Sequence, residues 1–339
     1  MRRLFLLMLM LGVTFGSAAF VFANNNFIAG GTGGGQGGFW ERRNSSGGFL
    51  NSGTLWATRA HHCTVKLANG NMFLAGGTAS GGTWEIHNTT GGLVSNGTLW
   101  ATRNFSFTCT VLNNGNVFIV GGESSSGTWE IRNSAGGFVS NGTLWANRLA
   151  HNATLLSNGN VLITGGNFSS GTWEIRSATG SLVSGTSTTG IYLWSGRYGH
   201  CAIQLSNGNI MMIGGGPGYN SWELRTSSMT LISANYLWVQ RDEHTCNKLP
   251  NGNIFIAGGA WGPGSWEIRN STGALVSTGT LWASRNGHNA ELQSNTGNVL
   301  ITGGSVSQGT WELRSGTGAL VSSGNMNGLH DPGHSTTEY

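Results

Sequence analysis

The side chains here that could do acid–base or metal chemistry recur at fixed intervals, and the recurrence decides how they are read. Seven glutamates each follow a tryptophan: Glu41, Glu85, Glu130, Glu174, Glu223, Glu267 and Glu312 stand behind Trp40, Trp84, Trp129, Trp173, Trp222, Trp266 and Trp311. Arginines fill two more repeating slots. One holds Arg59, Arg103, Arg148, Arg197, Arg241 and Arg285; the other holds Arg43, Arg132, Arg176, Arg225, Arg269 and Arg314, with His87 substituting once. His62, His151, His200, His244 and His288 lie three residues after arginines of the first slot, Ser106 takes that place once, and His334 is the equivalent near the C-terminus. A catalytic residue is needed once, whereas a residue repeated in every unit serves the unit. Structural Arg–Glu pairs and hydrogen bonds are therefore expected. A metal held by the ring of imidazoles is not, because ligands must converge within about 2 Å of one ion and a ring of strands spreads them apart.

The repeat leaves a few chemical groups unexplained. Asp242-Glu243 is the only adjacent acidic pair, and Trp261 is the single tryptophan outside two repeating tryptophan slots. Tyr219 and Trp261 sit in Gly/Pro-containing loops where other units carry short Ser/Gly segments. An aromatic ring with carboxylates nearby can stack on a sugar and accept hydrogen bonds from its hydroxyls. Tyr219, Trp261, Asp242 and Glu243 are thus the candidate binding residues, with Glu123 and Phe168 in corresponding loops as lesser ones. As a hydrolase pair the two carboxylates fail, since adjacent residues of an extended segment point to opposite sides. The four cysteines are staggered: Cys63 and Cys201 lie six residues before an Asn-Gly pair, Cys109 and Cys246 five before one. An even count in a secreted chain favours bridges, so Cys63–Cys109 and Cys201–Cys246 are expected between neighbouring units, with four buried thiols as the alternative.

The elements that must position these groups follow from the spacing. Successive Trp-Glu tryptophans are 44, 45, 44, 49, 44 and 45 residues apart, a period suited to four-stranded propeller blades. In one unit, Ala153–Leu156 reads as a strand, Asn158-Gly159 as a tight hairpin, and Val161–Thr164 as a second strand ended by Gly165-Gly166. Thr172–Arg176 and Ser181–Ser184 complete four antiparallel strands. The double glycines, the Trp-Glu strand behind them and the Leu-Trp-x-x-Arg-x-x-His link resemble the Kelch repeat of the Kelch and galactose-oxidase-like propellers, over essentially residues 24–339. The resemblance implies an all-β, seven-bladed Kelch-type propeller and says little of activity. A copper enzyme of the galactose-oxidase kind would need paired Tyr and His ligands and a Cys-modified Tyr, yet the chain has five Tyr and none directly precedes His.

The ends and the bulk composition complete the expectation. Arg2 and Arg3, an apolar run from Leu4 to Val13 and the Val21-Phe22-Ala23 site read as a secretory signal over 1–23, with an uncleaved anchor as the alternative. The domain over 24–339 is a single propeller. Its first unit, 24–58, lacks an inner strand that 330–339 can supply, which would close the ring and remove two sheet edges. Net charge is +4, with Lys66 and Lys248 the only lysines, so no concentrated basic patch points to nucleic acid. N-x-S/T sequons stand at Asn44, Asn88, Asn96, Asn104, Asn141, Asn152, Asn167 and Asn270, about as many as the composition gives by chance. The expected protein is a secreted, non-catalytic binding or structural module without cofactor or membrane span after signal removal. Its expected partner is extracellular glycan or protein met through the loop face, with self-association into surface assemblies or a galactose-oxidase-like enzyme as alternatives.

Overall fold

The computed structural model describes residues 25–31, 38–168, 170–217, 220–327 and 334–339. The expected signal, 1–23, lies outside them, as does Tyr219. The described residues form seven four-stranded antiparallel sheets arranged as blades. Blade four consists of Asn152–Leu155, Val161–Thr164, Trp173–Arg176 and Leu182–Gly185 from the axis outward, each within a residue of the strands read from the sequence. Inner strands neighbour one another all round the ring. Ring closure takes the expected form. Ser335–Glu338 is the inner strand of blade one, pairing antiparallel with Asn25–Ala29 in the register Ala29↔Ser335 to Asn26↔Glu338.

The sequence enforces this geometry at its glycines. At the Asn-Gly turns, Gly70, Gly115, Gly159, Gly208 and Gly252 adopt φ of 80–84°, the left-handed region that glycine enters without a steric penalty. After the second strand, a Cβ on Gly121 would stand 2.7 Å from both the Arg148 carbonyl and the His151 ring, so the double glycine lets the next blade's link pass close.

Burial follows the blade layers. The second strands are buried throughout, whereas the outer strands alternate exposed and half-buried positions. One apolar cluster fills each space between adjacent blades; the Phe73, Trp84 and Val117 cluster between blades two and three is typical. Each Trp-Glu tryptophan reaches the next blade's turn. A Cβ at Gly91 would lie 2.1 Å from the Trp40 ring. The spacing of 49 residues marks a local departure: a helical turn, Thr186–Thr189, follows the outer strand of blade four. Trp173 is there fully enclosed, and Met229 replaces the turn glycine beside it.

Both expected disulfides form, Cys63–Cys109 between blades two and three and Cys201–Cys246 between blades five and six, with Cα–Cα separations of 6.0 and 6.3 Å. These separations lie in the range a disulfide spans. Two disulfides suit an oxidising, extracellular environment. No helix among the described residues is long and apolar enough to cross a membrane.

Candidate functional site

The repeating charges are consumed by one inter-strand clamp. In blade four, Glu174 Oε1 accepts from Arg148 Nε at 3.0 Å, and Oε2 accepts from Arg176 Nη2 at 2.6 Å and from the Trp145 backbone N–H at 3.3 Å. Arg148 Nη1 also donates to the Gly165 carbonyl at 2.7 Å, and Arg176 Nη1 to the Gly180 carbonyl at 3.1 Å. The carboxylate therefore ties the link, the double-glycine turn and the turn after the third strand. Blades two, three, five, six and seven repeat it around Glu85, Glu130, Glu223, Glu267 and Glu312, with His87 in the second cationic place of blade two. These pairs are almost wholly buried, so each charge depends on its partner.

Closer to the axis lies the histidine ring. Each imidazole bonds a hydroxyl of the preceding blade through Nε2: His151 to Thr108 at 2.9 Å, His200 to Thr164 at 2.8 Å, His288 to Thr245 at 2.9 Å, His334 to Thr302 at 3.0 Å and His62 to Ser335 at 2.8 Å. His244 differs. Cys201 occupies the corresponding place in blade five and is used in a disulfide, and both ring nitrogens of His244 are buried without a partner. In blade three Phe107 fills the histidine place, standing over Gly76 as His151 stands over Gly121. Burial, with the neighbouring link arginine, pushes His62, His151 and His244 down to about 3. The rings are neutral at ordinary pH, and their spread leaves no group of three or more His, Cys, Asp or Glu among the described residues able to hold a metal.

At the residue before the histidine place of blades two to seven the backbone turns left-handed. His61, Ser106, Ala150, Gly199, Glu243 and Gly287 have φ of 56, 59, 52, 59, 51 and 55°. Their backbones link blade to blade: Gly199 N–H donates to the Ala150 carbonyl at 2.7 Å, Glu243 to Gly199 at 3.0 Å and Gly287 to Glu243 at 3.2 Å. This rim surrounds an axial cavity of about 560 Å³ on the link face, with the imidazoles in its wall. Two blades use glycine at the rim, as the conformation favours; histidine and glutamate there retain strain that marks functional positions elsewhere. Glu243 is exposed in the mouth. Desolvation by the walls, then the Asp242 charge, raises its carboxyl above the usual range.

The structure divides the residues singled out in the sequence. Glu243 lines the axial cavity, whereas the Asp242 Oδ1 atom is buried and has no hydrogen-bond partner. Trp261 is 60% exposed in the adjoining loop, whose Ala260 N–H donates to the Asp242 carbonyl at 2.9 Å. It does not belong to the cavity wall. Phe168 is exposed in its loop and Glu123 is half-buried, neither at the cavity. Sequence reasoning missed two features. The rim itself was hidden because its members share a backbone conformation and no residue type. The link tryptophans Trp56, Trp100, Trp145, Trp194, Trp238 and Trp282 recur as regularly as the Trp-Glu set, yet they are 45–53% exposed. Regular spacing does not reveal which side of the blade a ring occupies.

At the opposite end of the axis, burial and then the Glu338 charge push Glu291 up to about 7. Lys66 is near enough to counter part of that rise.

No protein-family model matches the sequence, and no curated protein does. Solved structures do match. A protein of unknown function from Desulfotomaculum acetoxidans is 14% identical with a TM-score of 0.68, over 93% of this chain and 99% of that one. A fungal alcohol oxidase of the AA5 family in complex with copper is 16% identical with a TM-score of 0.62, over 80% of this chain and 66% of that one. The likeness thus spans just under two thirds of the oxidase. A streptogramin B lyase is 13% identical with a TM-score of 0.59, over 82% of this chain and 94% of that one. Identities this low establish a shared fold.

Proposed function

We propose that this protein is a secreted Kelch-type propeller that acts as a non-catalytic binding module, taking a hydroxyl-bearing ligand, an extracellular glycan, at the axial mouth of its link face. One observation carries the reading: His244, 8% exposed and lining the axial cavity beside the strained Glu243, has no hydrogen-bond partner at either buried ring nitrogen. An unmet buried hydrogen-bonding group costs about 1–3 kcal/mol, and a ligand hydroxyl that meets it gains that energy on binding. Glu243 supplies an acceptor at the same mouth, and Trp261 offers an apolar platform on the adjoining loop. Tyr219 is retained as a flanking candidate.

The test is a glycan array followed by calorimetry on the best ligand, using wild type, Glu243→Gln and His244→Phe. Phenylalanine is tolerated at this place in blade three, so the second variant keeps the fold. Each variant is expected to weaken binding at least tenfold. Unchanged affinity, or no glycan bound by wild type, overturns the glycan reading and moves weight to a protein partner or to catalysis.

A second reading, self-association, has its own support. The outer strands, such as Leu93–Thr98 and Leu275–Thr280, contain neither charge nor proline and each exposes an apolar pair such as Leu93 and Val94. Uncharged open edges are where strands of other molecules add. Val94→Lys with Val276→Lys is expected to reduce any concentration-dependent increase in sedimentation coefficient; a purely monomeric wild type removes this reading.

A further inference from the structure

The boundary between blades four and five carries a second, separate feature of the exposed surface. Trp194, 47% exposed, and Tyr236, 60% exposed, face each other with ring centroids 6.3 Å apart and planes inclined by 59°. With Ser195, Asn220 and Ser221 they enclose a cleft of about 230 Å³. Among the described residues its lining carries no acidic or basic side chain.

Its parts are held rigidly. The Trp194 backbone N–H donates to Glu223 Oε2 at 3.0 Å, so the main chain that carries the ring is tied to the blade-five clamp. Ser221 Oγ accepts from Arg197 Nη2 at 3.1 Å. The cleft is peculiar to this boundary. Residues in the register of Tyr236 are Thr54, Thr98, Thr143 and Thr280 in blades one, two, three and six and Asn325 in blade seven. In blades two, three and six the carbonyl at that register accepts the buried tryptophan N–H, at 3.2, 3.3 and 3.2 Å. In blades five and seven, where the register holds Tyr236 and Asn325, the corresponding Trp222 and Trp311 N–H groups are buried without a partner.

We infer that the Trp194–Tyr236 cleft is a subsite for one neutral pyranose ring. Aromatic walls with a few polar groups at the edge are the usual lining of small-ligand sites. A pyranose matches this lining because it has an apolar C–H face that stacks on a ring and equatorial hydroxyls at its perimeter. The indole and phenol cover that face, while the Asn220 amide and the Ser195 hydroxyl meet the perimeter. Absence of charged side chains selects neutral hexoses over uronic acids and phosphorylated sugars. The cleft is distinct from the axial mouth, so it does not depend on the glycan reading made there.

The experiment titrates the full-length secreted protein with methyl hexopyranosides and their short neutral oligosaccharides, read by intrinsic tryptophan fluorescence and calorimetry. Wild type is compared with Tyr236→Thr, Trp194→Ala and Trp238→Ala, the last removing the exposed link tryptophan of the next boundary. Tyr236→Thr restores the residue used in four other blades and so preserves the fold. It is expected to weaken neutral-sugar binding at least tenfold, with Trp194→Ala equal or greater, while Trp238→Ala leaves this binding unchanged. Binding that survives Tyr236→Thr, or no neutral sugar bound at millimolar concentration, overturns the inference. Loss with Trp238→Ala but not with Trp194→Ala places the sugar at another link tryptophan and overturns it as well.

Discussion

Arg241 and Glu243 stand two residues apart in one link, and they belong to different regimes. Arg241 is fully buried, bonded to the Gly258 carbonyl at 2.6 Å, and has a counterpart in five other links. Glu243 is exposed, occupies left-handed backbone and has no counterpart of its own type on the rim. In this fold the side chains that recur hold blades together, while backbone conformation that recurs with changing side chains forms the rim of the axial cavity. Catalytic-looking types mislead in the first set and inform in the second.

The largest effect expected from this contrast comes from the buried ring just below the rim. In the unfolded chain the histidines take up protons below about pH 6.5. In the fold, His62, His151 and His244 do so only near 3, and His200 and His288 are also held well below their usual value. Between these limits the unfolded state binds more protons, so stability is full above about pH 6.5 and falls as pH falls. Each histidine inside the window contributes about 1.4 kcal/mol per pH unit. Glu291 opposes this, because its raised carboxyl loses stability as pH climbs through about 7. Urea midpoints should therefore drop steeply from pH 6.5 to pH 4.5, and a flat profile would show that the imidazoles are hydrated rather than enclosed.

Next in size is the clamp. Glu174→Ala leaves Arg148 and Arg176 buried without their carboxylate, and removing one partner of a buried pair costs about 3–5 kcal/mol. The same truncation at Glu243 should change the urea midpoint by under about 0.5 kcal/mol, as for an ordinary surface site. Equal losses at the two glutamates would erase the distinction between frame and rim. Per bond, reduction of the disulfides ranks third, at about 2–4 kcal/mol for each loop closed. Denaturation with and without reductant measures it, and intact mass verifies the bonds.

Much of the frame was legible because its constraints are local and repeated. Asn158-Gly159, the double glycine at Gly165 and the Trp173-Glu174 strand each specify backbone or burial by themselves, and the 49-residue spacing located the one enlarged boundary. The cysteine offsets were readable for the same reason, since equivalent registers on neighbouring inner strands bring the residues together. The axial mouth was not legible in that way. Of its members only Glu243 stood out, by its adjacency to Asp242, and that adjacency proved misleading: one carboxylate enters the mouth and the other keeps a buried oxygen away from it. His244 looked like every other histidine of the ring. Only the loss of its hydroxyl partner to Cys201 sets it apart, and that is a contact between blades 43 residues apart in sequence. Tyr236 escaped notice because its meaning depends on the register that places threonine in other blades.

The smallest expected effect is the most discriminating. Replacing Glu243 with glycine, the residue used at Gly199 and Gly287, removes a left-handed strain of about 1–2 kcal/mol. It also loosens the unfolded chain, which takes back about 0.4–1 kcal/mol. The net result should be a small gain in stability, between about 0 and 1 kcal/mol, accompanied by weaker ligand binding at the axial mouth. Stability and binding would then move in opposite directions at one residue, as expected where strain is kept for function. If Glu243→Gly lowers stability instead, the glutamate serves the ring, and the rim belongs with the clamp after all.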